Sequence, residues 1–499
     1  WLLTNGLGGY AMGTALGVNS RRHHGLFVPA TSPPVGRVVA LHSVLIQLVI
    51  DGDPLDLSTF CFGGEQLLHP SGWRLLRRLV IDPPHALRWE WRLHSTKIAA
   101  RLELAHGQNT AAFSVTVDGL ARPAVLRVRP MTPLRDHHAI DGATDEPPAE
   151  LTVIGDHMLR LRRGLVDVEL AASAGYWSRE SQWWRQFSYF EDRARGQEYL
   201  DDVWSPGAFL LDCEPETSNT LSVRVTAPGA VPAEDPPEPS RVPDDAPADV
   251  SLDARLRVAA DQFIVRRPTP ARQKRAVSRG RVTGAKLLMR FAPSIIAGYP
   301  WFTDWGRDAM IALPGLMLET GRLDEAHAML LAYAGGLRDG LIPNVFADAT
   351  SAAMPAYNAA DTSLWFVLMV HAVARAARDA GQGERLPMKT LREAVCSIIQ
   401  HHVRGVPLLG ISIDPADGLL IAISNDGAPL TWMDARRGGV TFTRRDGKPV
   451  EMNALWINAL HAGAELLAED DPAESKRLRG RAQRAAESFP AAFWNDERG

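Results

Sequence analysis

At 499 residues the chain is longer than one ordinary hydrophobic core serves, so two or three domains are expected. Hydrophobic residues make up 45% and charged ones 22%, the balance of a water-soluble globular protein. A formal net charge of −4 argues against a nucleic-acid partner, whose binding shows as clustered positive charge, and leaves neutral polymers such as glucans open.

The first 226 residues read as β. Short apolar runs recur at Val38–Ile50, Arg74–Ile81, Ile98–Leu104, Ala111–Val117 and Ala124–Arg129, separated by Gly, Pro, Asp and His. Ile98, Ala100, Leu102 and Leu104 share one face against Arg101 and Glu103, and Leu126 and Val128 oppose Arg127 and Arg129. Many short alternating strands predict an N-terminal β-sandwich over 1–226, with Leu221–Thr226 as its last strand. Between Ala227 and Asp249 proline recurs every few residues among acidic ones, which neither helix nor central strand tolerates; a linker over 227–251 is expected. From 252 to 499 the pattern is helical. Roughly seven helices are expected: Leu252–Val265, Asp304–Leu318, Arg322–Leu337, Ala359–Ala380, Thr390–Val403, Glu451–Leu467 and Glu474–Ser488. Ala359–Ala380, apolar nearly all round, is expected to be buried, and Leu391, Val395, Ile398, Ile399 and His402 fall on one face of the next helix. Helical hairpins with functional loops at one end suit an (α/α) barrel, and an α-solenoid equally well.

Chemistry concentrates in four segments. Ala297–Gly315 sets Tyr299, Trp301, Phe302 and Trp305 beside Asp304, Arg307 and Asp308. A pyranose offers apolar C–H faces to tryptophan and a rim of hydroxyls to donors and acceptors, so the mixture suits a sugar. The bland alternative is a helix start capped by Asp304, with Arg307–Asp308 as a structural ion pair. Leu430–Ala435 places Asp434 beside Trp432; an acid against an aromatic suits proton donation, and a turn aspartate is the plainer reading. Asn344, Asn358, Asp361 and Trp365 are candidate hydroxyl binders and a stacking platform, or else Asn358 and Asp361 cap the buried helix. The glycine-rich Asn5–Tyr10 lacks the lysine and the following helix of a phosphate loop, and His23–His24 lacks metal spacing. No cofactor and no metal are expected. Cys61, Cys213 and Cys396 are far apart and odd in number, which reads as reduced thiols filling core. No apolar run of about 18 residues predicts a membrane span, and no signal peptide opens the chain, so a cytoplasmic location is expected. Because the chain begins at Trp1 rather than Met, the natural start is expected upstream.

Taken in order, AGYPWFTDWGRDAMIALPGL, GLIPN, YNAADTSLWF, LTWMDA and GKPVEMNALWINAL resemble the C-terminal domain of bacterial and archaeal glycogen-debranching enzymes, glycoside hydrolase family 133. WLLTNGLGGYAMGTALGVNSRRHHGLFVPA and WWRQFSYFEDRARGQEYLDDVWSPGAF resemble the two ends of their N-terminal β-sandwich domain. The resemblance covers most of the chain. It implies an (α/α)6 barrel and metal-independent, inverting release of α-1,6-linked glucose from trimmed branch points of glycogen or limit dextrin. It implies Asp434 as the catalytic acid, and Arg307 and Asp308 as the grip on the terminal glucose. Trp301, Trp305, Trp432 and Trp365 would be apolar walls, with Asn344, Asn358 and Asp361 as further substrate contacts.

Three features depart from the family pattern. About seven helices fall short of twelve, so the barrel is expected to be partial. The family's general base is a glutamate near the natural C-terminus and is expected beyond residue 499; neither Glu451 nor Glu487 sits in the matching motif. His23 stands where tyrosine is commoner, and the basic stretch Arg266–Lys286 is longer than expected. Two other readings remain open: a glucoamylase- or trehalase-like glucosidase, and a glucan-binding protein without catalysis.

Overall fold

The structure is a computed structural model that describes residues 1–82, 86–227, 251–269, 290–346, 355–383 and 385–498. Nearly all of the expected proline-rich linker, and most of the basic stretch Arg266–Lys286, lie outside the described residues. The described chain forms two compact units. One comprises Trp1–Arg266 together with Gly298–Thr303, the other Arg267–Ala297 together with Asp304–Gly499. The first unit thus runs past the expected boundary at 252: it keeps the helix Leu252–Asp261 and takes back six residues of the aromatic segment.

In the first unit an eight-stranded antiparallel sheet runs in the order Leu76–Asp82, Ala86–Leu93, Thr96–Leu104, Thr110–Asp118, Asn219–Thr226, Val166–Ala172, Met158–Arg163, Glu150–Gly155. A five-stranded sheet runs Tyr176–Ser178, Ala208–Cys213, Ala124–Met131, Ser43–Ile50, Asp53–Asp56. One hydrophobic core draws on both, with Ile98, Leu102, Phe113, Val115, Leu161 and Val223 from the larger sheet and Ile46, Leu48, Leu126, Val128 and Phe209 from the smaller. This is the sandwich that the alternation predicts, because each strand has only one face to bury. Asn219–Thr226 is the last strand of this sheet in chain order but does not lie at its edge: it pairs with Thr110–Asp118 on one side and Val166–Ala172 on the other. Arg129 departs from its expected outward face. It is only 4% exposed, because Glu180 meets its guanidinium at 2.5 Å and offsets the buried charge. The Asn5–Tyr10 loop is structural: Asn5 Oδ1 accepts from Leu7 N–H, and Gly8, at φ +86°, has no room for a Cβ, which would stand 2.4 Å from Pro34 O.

The described residues form eight α-helices, the last seven of which follow the order read from the sequence. After the short α1 (Phe190–Ala194) and α2 (Leu252–Asp261) of the first unit come α3 (Gly306–Leu313), α4 (Leu323–Gly335), α5 (Thr362–Asp379), α6 (Lys389–Arg404), α7 (Val450–Leu466) and α8 (Pro472–Phe493). Helix α5 packs against α3, α4, α6 and α7, which is why its sequence is apolar on nearly every side. The five residues predicted for the buried face of α6 are all buried. Helix α8 begins where Asp471 accepts from Glu474 N–H at 3.0 Å, with Pro472 in the first turn. No helix among the described residues is long and apolar enough to cross a membrane.

Candidate active site

The helical unit gathers one connected polar site from the starts of two helices and two loops. Arg307 enters from the first turn of α3. Its Nε donates to Asp361 Oδ2 at 2.8 Å and its Nη1 to Asp434 Oδ2 at 3.2 Å. The Arg307 backbone N–H donates to Asn344 Oδ1 at 3.2 Å, and Thr362 Oγ donates to the same oxygen at 3.2 Å. Asn344 Nδ2 reaches Asn358 Oδ1 at 3.3 Å, and Gly306 N–H donates to Asn344 O at 2.8 Å. The loop carrying Asp434 is tied in where Ala360 N–H donates to Leu430 O at 2.9 Å. Five of the predicted residues, Arg307, Asn344, Asn358, Asp361 and Asp434, therefore belong to one hydrogen-bonded network.

Both bland readings are altered here. Asp361 precedes α5 but makes no side-chain cap; its carboxylate serves Arg307 instead. Arg307 pairs with Asp361 and Asp434 rather than with its neighbour Asp308. Asp304, just before α3, is buried and held by both Nε and Nη2 of Arg267 at 2.6 Å and by Ser294 Oγ at 2.8 Å. It anchors the segment and does not cap it.

Burial sets the electrostatics. Asp361 is 2% exposed, and burial raises its carboxyl above the ordinary range although Arg307 pulls it down; the charge of Glu451 adds to the rise. Asp308 is raised chiefly by partial burial, opposed by Arg307 and assisted by Asp434. The Asp434 side chain is 49% exposed.

The four tryptophans part company. Trp305 stands at the start of α3, half-buried, bridged through its backbone to Val345 beside Asn344. Trp365 lies one turn into α5, its N–H donating to Asp361 O. Trp432, two residues from Asp434, is 55% exposed. Trp301 belongs to the β-rich unit, where the guanidinium carbons of Arg21 and Arg195 lie 5.2 and 5.3 Å from its ring centroid and His23 meets it edge-on. Sequence proximity to Arg307 did not reveal that placement. The spacing also missed Arg445, whose Nη1 donates to Met433 Sδ at 3.2 Å and whose Nη2 pairs with Glu451 at 2.5 Å. Among the described residues, no group of three or more metal-ligating side chains is placed to hold an ion.

Comparison with known proteins separates the same two regions. Residues 1–220 match the family described as glycogen debranching enzyme N terminal, and residues 258–499 match amylo-alpha-1,6-glucosidase. A glycogen debranching enzyme of Saccharomyces cerevisiae is 30% identical over 227 residues, 35% of this chain and 14% of the yeast protein. The chain thus matches only a small part of that relative's length. Among solved structures, a bacterial glucoamylase complexed with acarbose overlaps 91% of this chain and 62% of its own at 10% identity and a TM-score of 0.46. A rhamnosidase from Klebsiella oxytoca with rhamnose bound overlaps 70% and 64% at 13% identity and a TM-score of 0.34. Neither overlap is close enough to fix the architecture of the helical unit. The two family matches, running in order through both regions, establish that the chain belongs to the glycogen-debranching family.

Proposed function

We propose that the helical unit is an amylo-α-1,6-glucosidase site, built on the (α/α)6 plan, that releases single glucose residues from trimmed glycogen branch points. The observation that carries this reading is Arg307, which joins a buried aspartate to an accessible one; Trp305, Trp365 and Trp432, close in sequence to these residues, are the candidate stacking surfaces. A glucosyl ring stacks its C–H face on indole while its hydroxyls meet the charged edge. Asp434, as the acid, gives its proton to the glycosidic oxygen as the bond from that oxygen to C1 breaks. Water attacks C1 from the opposite face and loses its proton to a carboxylate base, giving the inverted sugar. Neither Asp361 nor Glu451 is assigned as that base. Arg307 and Asp308 grip the terminal glucose, Asn358 reaches a hydroxyl, and Asn344 fixes the turn that presents them.

Asp434→Asn tests the assignment. Glucose release from limit dextrin is expected to fall between about a hundredfold and ten-thousandfold, the usual worth of a general acid, while affinity for the dextrin stays within about threefold. Turnover at the native rate by this variant would remove Asp434 from the mechanism.

A further inference from the structure

Two carboxylate oxygens in the helical unit receive no hydrogen bond from any described residue although they are buried: Asp361 Oδ1 and Glu451 Oε1. The other oxygen of each is held by an arginine, Asp361 Oδ2 by Arg307 at 2.8 Å and Glu451 Oε2 by Arg445 at 2.5 Å. Both pairs lead to the same loop. Arg307 touches Asp434 itself, and Arg445 donates to the sulfur of Met433 just before it. The accessible acid is thus flanked by two arginine–carboxylate pairs, one from α3 and α5 and one from the start of α7.

Leaving a buried acceptor unmade costs about 1–3 kcal/mol. A glutamate in the first turn of α7 would suit the helix dipole while remaining in water, and that role needs no buried oxygen. Nor is a cation required, because each carboxylate already faces a guanidinium. What both oxygens lack is a neutral donor, and a sugar presents several O–H donors around one ring.

We propose that Glu451 is a substrate-binding residue: its Oε1 and Asp361 Oδ1 each accept from a hydroxyl of the glucosyl ring, with Arg445 holding Glu451 in place. This rests on the glucosidase reading above. Glu451→Gln is the informative change. Arg445 takes the amide oxygen, and an NH2 donor then replaces the acceptor that faces the ligand.

The test titrates isomaltose, a neutral α-1,6-linked disaccharide, by calorimetry into the protein carrying Asp434→Asn and into the double variant Asp434→Asn/Glu451→Gln. The added change is expected to raise Kd about tenfold, a loss of about 1.4 kcal/mol. In the otherwise native protein Glu451→Gln is expected to raise KM on limit dextrin by a similar factor with kcat within about threefold. A thermal midpoint within about 2 °C of the parent verifies the fold. An unchanged Kd overturns the proposal, and so does a fall in kcat alone that Arg445→Gln reproduces, since the pair would then only brace the loop. Failure of Asp434→Asn itself to bind isomaltose overturns the glucosidase reading and the proposal with it. Should Glu451→Gln not fold, Glu451→Asp, which keeps the charge but withdraws the oxygen by one methylene, is expected to weaken binding in the same direction.

Discussion

Arg307 does work that a single positive charge cannot. Its planar fork presents Nε to Asp361 and Nη1 to Asp434, two carboxylates of opposite character, one buried and one half-exposed. Lysine is a point charge that satisfies one of them at a time. Arg307→Lys is therefore expected to lower kcat/KM on limit dextrin by roughly a hundredfold, with most of the loss in kcat, because Asp434 loses its fixed position. Steady-state kinetics of the purified variant check this, and native kcat would show that Asp434 needs no bridge. The same residue explains why Asp361 does not cap α5. Its carboxylate offsets a buried guanidinium, and breaking a buried pair is costlier than losing one cap.

At the level of elements, the site depends on how closely α3 begins against the Gly340–Asn344 loop and the start of α5. Gly306 makes that approach possible. A Cβ there would stand 2.5 Å from Pro343 O, 2.9 Å from Thr362 Cγ2 and 3.2 Å from Asn344 Cα. Two of those atoms are backbone and cannot swing aside. Gly306→Ala is expected to cost roughly 1–3 kcal/mol by overpacking. It is also expected to reduce turnover, because the helix shift moves Arg307 off Asn344, Asp361 and Asp434. Urea unfolding together with kinetics tests both parts, and a variant as stable and active as the parent would deny that the contact is tight.

Across the molecule, the acid response is set mainly by the β-rich unit. Burial holds His23 and His24 down to about 3 and His137 to about 2, places His42 well below the ordinary value and lowers His138. In the helical unit burial brings His402, stacked on Trp456, down to about 4. Each of these imidazoles stays neutral in the fold below the pH near 6.5 at which the unfolded chain charges. The unfolded chain then binds more protons, so stability is whole above about pH 6.5 and declines as pH falls below it. At pH 5 a histidine held at about 3 costs about 2 kcal/mol. The expectation is a steep loss of unfolding free energy between pH 6.5 and 5, with hydrogen-exchange protection failing first in the β-rich unit. A flat profile over that range would mean these histidines are accessible to protons in the fold.

The alternation Ile98, Ala100, Leu102, Leu104 and the helical face Leu391 to His402 were readable from the chain alone because they record which side of an element meets water, a local property. So was the order β then α, and so were the motifs that carry the family resemblance. What those patterns could not hold is which distant segment an element meets. Asn219–Thr226 comes last in the chain order of its sheet yet lies inside it, Arg129 is buried because Glu180 comes from elsewhere, and Trp301 joins the β-rich unit while Arg307, six residues on, joins the helices. Asp434 was named by resemblance and looks like any turn aspartate by spacing. Glu451 was passed over, since burial of one carboxylate oxygen leaves no trace in a sequence. Residue order determined the elements, their buried faces and the family. Only the tertiary structure decided which arginine meets which carboxylate, because that choice is made by desolvation and geometry among groups as distant in the chain as Arg307 and Asp434, 127 residues apart.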